Sequence, residues 1–216
     1  IVTEPVSLIA LAVDSSAATC NGGDNGSAVV GGSGGNLPYT YWWNDAINQE
    51  NDTAVNLLGG VYQAAVIDVN GCSDTVLITV EEPGLMTPND SLVTPSCNGV
   101  CDGFISLDLT GGTKGSGYIH SWNVASTDTF LLDICAGTYV DTVTDGAGCL
   151  DTFTFIVTEP DSLQEIITNT TDAVCSYSAN GQAIVTPIGG TALYSYDWYD
   201  VAGGDNDSVA SGIIPG

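Results

Sequence analysis

The sequence predicts an all-β chain of tandem immunoglobulin-like antiparallel sandwiches, with a repeat of about 77 residues. Three observations carry that prediction. First, Ile156-Val157-Thr158-Glu159-Pro160 echoes Ile1-Val2-Thr3-Glu4-Pro5 letter for letter, and Ile78-Thr79-Val80-Glu81-Glu82-Pro83 lies between them as a looser copy. Second, other landmarks keep the same step and order: Cys20, Cys97 and Cys175, then Gly34-Gly35, Gly111-Gly112 and Gly189-Gly190, then the aromatic segments ending in Trp43, Trp122 and Trp198. Third, short β-branched segments alternate apolar and polar residues with period two, bounded by Gly, Asn, Asp and Pro, and no stretch keeps a helical period.

The second copy shows the strands most clearly. Residues 103–109, 138–144 and 152–157 each alternate and read as strands, and a full copy has room for about six or seven. Asp68-Val69-Asn70-Gly71 reads as a hairpin turn, because Asn-Gly tolerates positive φ. Each Trp recurs at the same place in its copy, which favours a core Trp between two sheets over an exposed sugar-stacking platform. Tyr62 and Tyr139 follow a glycine by two residues, as corner tyrosines do. The resulting division is 1–5 as the end of a preceding repeat, 6–83 and 84–160 as complete copies, and 161–216 as a third copy expected to stop before its last strands.

Charge narrows the function classes. The chain has one Lys+Arg against 26 Asp+Glu, a net charge of −25, so it lacks the cations that phosphate backbones and anionic lipids require. Neither a nucleic-acid partner nor direct membrane insertion is expected. Acidity with few hydrophobes would indicate disorder, but 44% of residues are hydrophobic and they alternate, so the expectation is folded domains with an acidic skin. Such a skin suits a saline or calcium-rich setting, where charges are screened, and equally serves plain solubility.

Seven cysteines in a chain with one histidine point to disulfides and an oxidising space outside the cytosol. Sorted by the repeat, Cys20 pairs with Cys72 and Cys97 with Cys149. Cys175 then pairs with a cysteine beyond residue 216. Cys101 and Cys135 occur together in one copy only and pair with each other. A rival arrangement joins Cys72 to Cys97 and so links neighbouring copies.

These landmarks resemble the SprB-type repeat of Bacteroidota, found in giant gliding-motility adhesins. The residues that carry the resemblance are Cys20, Asn25-Gly26-Ser27-Ala28, Gly34-Gly35, Pro38-Tyr39-Thr40-Tyr41, Trp43, Gly60-Val61-Tyr62, Asp68, Gly71-Cys72 and Glu81-Glu82-Pro83. The second copy departs from the pattern with Tyr118-Ile119-His120 and the extra cysteine pair. The resemblance implies type IX secretion, a cell-surface position and a non-catalytic role as a stalk or filament in attachment or gliding. Its implied partners are neighbouring repeats, a homo-oligomeric filament and a surface target that the motif does not identify. The alternative is a binding module whose loops recognise glycan or protein. The resemblance also suggests O-glycosylation at Asp-Ser/Thr-aliphatic triplets, with Thr53, Thr75, Ser91, Thr142, Ser162 and Ser208 as acceptors, although alternation in an Asp- and Thr-rich chain makes such triplets freely.

No catalytic constellation stands out. His120 is the sole histidine and occupies a position that holds Tyr elsewhere, so it reads as a structural stand-in, and no Ser-His-Asp or Cys-His set can be built around it. Gly111-Gly112-Thr113-Lys114-Gly115 lacks phosphate-loop spacing. Calcium is the one candidate cofactor, with Asp24, Asp52, Asp90, Asp205 and Asp207 in oxygen-rich loops. None has EF-hand spacing, and Asx turn chemistry explains the same residues.

Overall fold

The computed structural model describes residues 6–115, 117–198 and 207–214, and every regular element among them is a strand. In the first copy, β1 (Ile9–Ser16), β2 (Gly26–Ser33), β3 (Thr40–Trp43), β4 (Thr53–Leu57), β5 (Gly60–Ile67) and β6 (Ser73–Val80) form two sheets. One has the order β1-β2-β4, the other β3-β5-β6. This division of consecutive strands between two sheets is the immunoglobulin-like pattern. The sheets close on Ala28, Val30, Trp43, Ala64, Val66, Ile78 and Val80, all buried. Alternation along β2 and β5 sends every second side chain inward, so the period-two pattern of the sequence is the core itself.

The pattern recurs. β7 (Thr87–Val93), β8 (Gly103–Thr110), β9 (Ile119–Trp122), β10 (Phe130–Ile134), β11 (Gly137–Thr144) and β12 (Leu150–Val157) take the orders β10-β8-β7 and β12-β11-β9. β13 (Gln164–Thr171), β14 (Gly181–Ile188) and β15 (Val209–Ile213) repeat the first sheet as β13-β14-β15. Packing divides the chain into two units. One comprises residues up to 89 with 108–121 and 141–153; the other comprises 90–107, 122–140 and the described residues from 154 onward.

Three devices recur with the strands. The Trp Nε1–H groups of Trp43, Trp122 and Trp198 donate to the backbone carbonyls of Asn51, Asp128 and Asp207, each at 2.8 Å, so the indoles belong to the frame. Tyr62 and Tyr139 donate to the carbonyls of Leu58 and Cys135, four residues upstream, as corner tyrosines do. The diglycines take left-handed φ in all three copies, for example 88° and 55° at Gly111 and Gly112. A Cβ on Gly111 would strike the Leu85 carbonyl, which explains why glycine is required there.

Some features were not visible in the sequence. Asn56 and Asp133 adopt φ of 55° and 52° just before Leu57 and Ile134, where the β2/β4 and β8/β10 registers shift, so a short Asx residue turns the same bulge in both copies. His120 does more than stand in for Tyr41. Its Nδ1 lies 2.6 Å from Asp141 Oδ2, both side chains are buried, and the Ser121 N–H donates to Asp141 Oδ1 at 2.9 Å. The first copy has Tyr41 and Ala64 at these positions, so an apolar pair has been exchanged for a hydrogen-bonded polar pair. Removing one partner of such a pair leaves a buried polar group unsatisfied. Asp141→Ala should therefore destabilise by about 3–5 kcal/mol, read from the denaturant midpoint. The double change His120→Tyr with Asp141→Ala, which restores the first-copy residues, should recover most of that loss.

Candidate functional site

Strand connectivity decides where the cysteines lie. Cys20 is in the loop between β1 and β2, beside the end of β6, where the Ala18 N–H donates to the Glu81 carbonyl at 2.9 Å. Cys72 is in the turn between β5 and β6, at the other end of the sandwich, where it lines a hollow with Val6, Ser7 and Leu8 ahead of β1. Eight-residue strands separate the two ends by roughly 26 Å, far beyond the Cα separation of about 7 Å that a disulfide tolerates. The expected Cys20–Cys72 and Cys97–Cys149 pairings are therefore corrected. Cys20 is bonded to Cys149, 129 residues away, with Cα atoms 5.6 Å apart. Cys72, Cys97 and Cys175 are free and exposed, so the rival link between Cys72 and Cys97 is absent as well. Cys101 and Cys135 are joined to each other within the second copy.

The Cys20–Cys149 bond joins the first copy to the second, and both of its arms are held in place. On the Cys20 side, the Glu82 carboxylate accepts the Gly22 N–H at 2.8 Å and the Pro83 carbonyl accepts Asn21 Nδ2 at 3.0 Å. In the second copy Glu159 accepts Gly99 N–H at 2.8 Å and Asn98 Nδ2 at 3.0 Å. The Glu-Pro echo thus clamps the Cys-Asn-Gly loop of its own copy. The base of each loop is braced as well: the side chains of Asn25, Asp102 and Asn180 accept the N–H groups of Thr19, Ser96 and Val174 at 2.8, 2.8 and 3.0 Å.

On the other arm, Asp145 Oδ1 accepts the N–H groups of Ala147 and Cys149, each at 2.9 Å, while Oδ2 accepts that of Thr113 at 2.8 Å. Asp68 does the same for Asn70, Cys72 and Asn36. The expected hairpin turn is present, with the Gly71 N–H on the Asp68 carbonyl and Gly71 at φ 83°. Burial pushes both carboxyls up, but the converging N–H groups outweigh it and hold them below the ordinary aspartate range. A small hollow of about 190 Å³ remains at the joint, lined by Cys20, Asn21, Leu85, Met86, Gly112 and Asp145 among others.

The other candidates are scattered. Asp24 and Asp90 are exposed, Asp52 accepts the Thr53 hydroxyl at 3.1 Å, and Asp207 accepts the Ser208 N–H at 2.6 Å. Asp205 lies outside the described residues. Among the described residues no three His, Cys, Asp or Glu side chains gather into a metal-holding group. Thr75, Ser91 and Ser162 are exposed, whereas Thr53, Thr142 and Ser208 are half-buried. Lys114, the single cation, is exposed. The His120–Asp141 pair is sealed in the core and cannot meet a substrate.

Fold and joint together define a class: tandem immunoglobulin-like β-sandwiches with a covalent tie between consecutive copies. Within that class, a family model described as the SprB repeat matches residues 12–48 and 167–203, so these segments carry SprB repeats. No curated protein sequence matches the chain. Among solved structures it is similar to the C-terminal 282-residue fragment of intimin in complex with the intimin-binding domain of the translocated intimin receptor, at 15% identity and TM-score 0.36 over 76% of this chain and 67% of that one. It is also similar to Sidekick-1 immunoglobulin domains 1–5, at 10% identity and TM-score 0.34 over 87% of this chain and 46% of that one. A third similarity is to a four-immunoglobulin-domain fragment of Dscam1, at 10% identity and TM-score 0.30 over 72% and 46%. The chain thus spans about half the length of the latter two.

The lowered Asp145 carboxyl should make the joint acid-sensitive. A carboxyl held below its ordinary value of 3.8 in the folded state contributes stability above that pH and loses it as the pH falls through the folded value. The melting temperature of Asp145→Asn should lie well below that of the wild type near neutral pH, and the gap should close below about pH 4. A gap independent of pH would show that the charge on Asp145 plays no part.

Proposed function

We propose that this chain is a non-catalytic stalk segment of a giant exported cell-surface adhesin or extracellular filament that serves attachment or gliding. The observation that carries this reading is the Cys20–Cys149 tie between consecutive copies. Tension entering through β1 reaches Cys20, crosses the disulfide to Cys149 and leaves along β12. The residues in between are bypassed, so most of two sandwiches cannot unravel while the bond holds. On the chain-entropy model, closing a loop of this length contributes roughly 5 kcal/mol, and the bond also limits extension, as a stalk under pull requires. The SprB match and the disulfides support an oxidising, surface position. Neighbouring repeats and a homo-oligomeric filament are its natural partners. The burial of Trp43 and Trp122 weighs against the alternative of glycan recognition, since it removes the stacking faces that such a site would use.

Two measurements bear on this. Antibodies raised against the chain should label intact source cells and lower attachment or surface movement several-fold. Labelling only after lysis would overturn the surface role. In single-molecule pulling between the termini, reductant should add extensible length on the order of 450 Å, the contour of the 129-residue loop at about 3.5 Å per residue. Full extension without reductant would remove the mechanical basis of the reading.

A further inference from the structure

We propose that the outer face of the β3-β5-β6 sheet, centred on Trp42, is a side-by-side contact for the same face of a second copy of this chain. The inference rests on the stalk reading for its biological use, but its structural basis is independent. Three of the four tryptophans are bonded into the frame, and Trp42 is the fourth. Alternation along the strands turns Trp43 into the core and Trp42 outward, where it is 38% exposed. Register places Trp42 opposite Ala65 and Ala65 opposite Thr75, so a small residue separates the indole from a hydroxyl. One row further on, Gln63 faces Leu77, which is 65% exposed. Val61 completes the apolar set at 60%.

Charge selects the occupant. The chain has 26 acids and one cation, yet no outward position of β3, β5 or β6 carries a charge. Asp74, the single acid in these strands, is turned to β1, where it accepts the Ala10 N–H at 2.8 Å. In the second copy the same outward positions hold Ile119, Ser121, Thr142, Thr144, Leu150 and Thr152, again without a charge. Ser121 and Ile119 are exposed there, so a preceding copy in the chain does not cover this face. A basic partner would be drawn to the acids at the sheet ends. A second chain of net charge −25 is repelled by those ends and can approach closely only where acids are absent. Eight-residue strands, three abreast, offer on the order of 350 Å², under half of the roughly 800 Å² that each partner buries in a standard interface. The contact is therefore weak for one pair of faces and strengthens by repetition along the chain.

The test uses the full chain, with the free thiols of Cys72, Cys97 and Cys175 capped by iodoacetamide without reductant, so that no new disulfide forms. Sedimentation equilibrium over a concentration series reads the dimer constant at about 0.1 M and about 1 M salt, where the screening length falls from about 10 Å to about 3 Å. The wild type should dimerise, and more tightly at high salt. Trp42→Ser combined with Leu77→Thr installs the residues that the second copy carries at these positions, Ser121 and Thr154. That variant should keep its melting temperature and dimerise about tenfold more weakly. Gln63→Glu, which adds a charge without changing shape, should weaken dimerisation at low salt and less so at high salt. Val13→Thr, in β1 of the other sheet, should change nothing. A wild type that stays monomeric at both salts would overturn the proposal and leave the face to a partner other than this chain. Dimers that weaken as salt rises, an unchanged constant in the double variant or in Gln63→Glu at low salt, or an equal loss in Val13→Thr would overturn it too. Surface labelling and the pulling curve do not depend on this contact, so failure here leaves the stalk reading to its own tests.

Discussion

Everything at the joint follows from one constraint: in this sandwich the β1–β2 loop and the β5–β6 turn lie at opposite ends. β1 and β6 each run the length of the domain, so a chain that enters beside the turn leaves beside the loop. The next copy begins at that exit and brings its own turn to the previous copy's loop. A cysteine in each feature cannot close within a copy but is placed to close between consecutive copies. The Cys20–Cys149 bond is that geometry made covalent.

The surrounding residues support the same joint. Immunoglobulin domains of antibodies place their disulfide in the core beneath a Trp. Here Ala28 and Ala64 are among the residues packed around Trp43, and the sulfur chemistry has moved to the loops. Glu82 and Glu159 hold the donor loops, and Asp68 and Asp145 hold the receiving turns. Several of the acids that make the chain so acidic therefore do specific structural work as acceptors for backbone N–H groups, which suits a chain with almost no cations to pair them.

Much of the fold was legible. Strands at 103–109, 138–144 and 152–157 fall within β8, β11 and β12, the Asn-Gly turn is where its chemistry indicated, and the Trp and corner Tyr residues sit in the frame. The cysteine pairing was misread for a definite reason. Repeat arithmetic treats a separation of 52, from Cys20 to Cys72, as equivalent to 129, from Cys20 to Cys149, because they differ by one period of 77. Only the up-or-down sense of each strand separates the two, and counting the four strands from Cys20 to Cys72 misleads, because β3 and β4 run in the same sense and break the alternation. The Asp141 partner of His120 was hidden because strand pairing, not sequence distance, brings them together. The clamp role of Glu82 was hidden because a Glu-Pro segment between domains reads as a linker.

The central claim is that the sulfur bond ties consecutive copies. Its most direct test is digestion of the unreduced protein with a protease that cleaves after acidic residues, followed by mass spectrometry of the linked peptides. The account predicts a peptide joining Cys20 to Cys149 that disappears on reduction. A peptide joining Cys20 to Cys72, or Cys97 to Cys149, would contradict it.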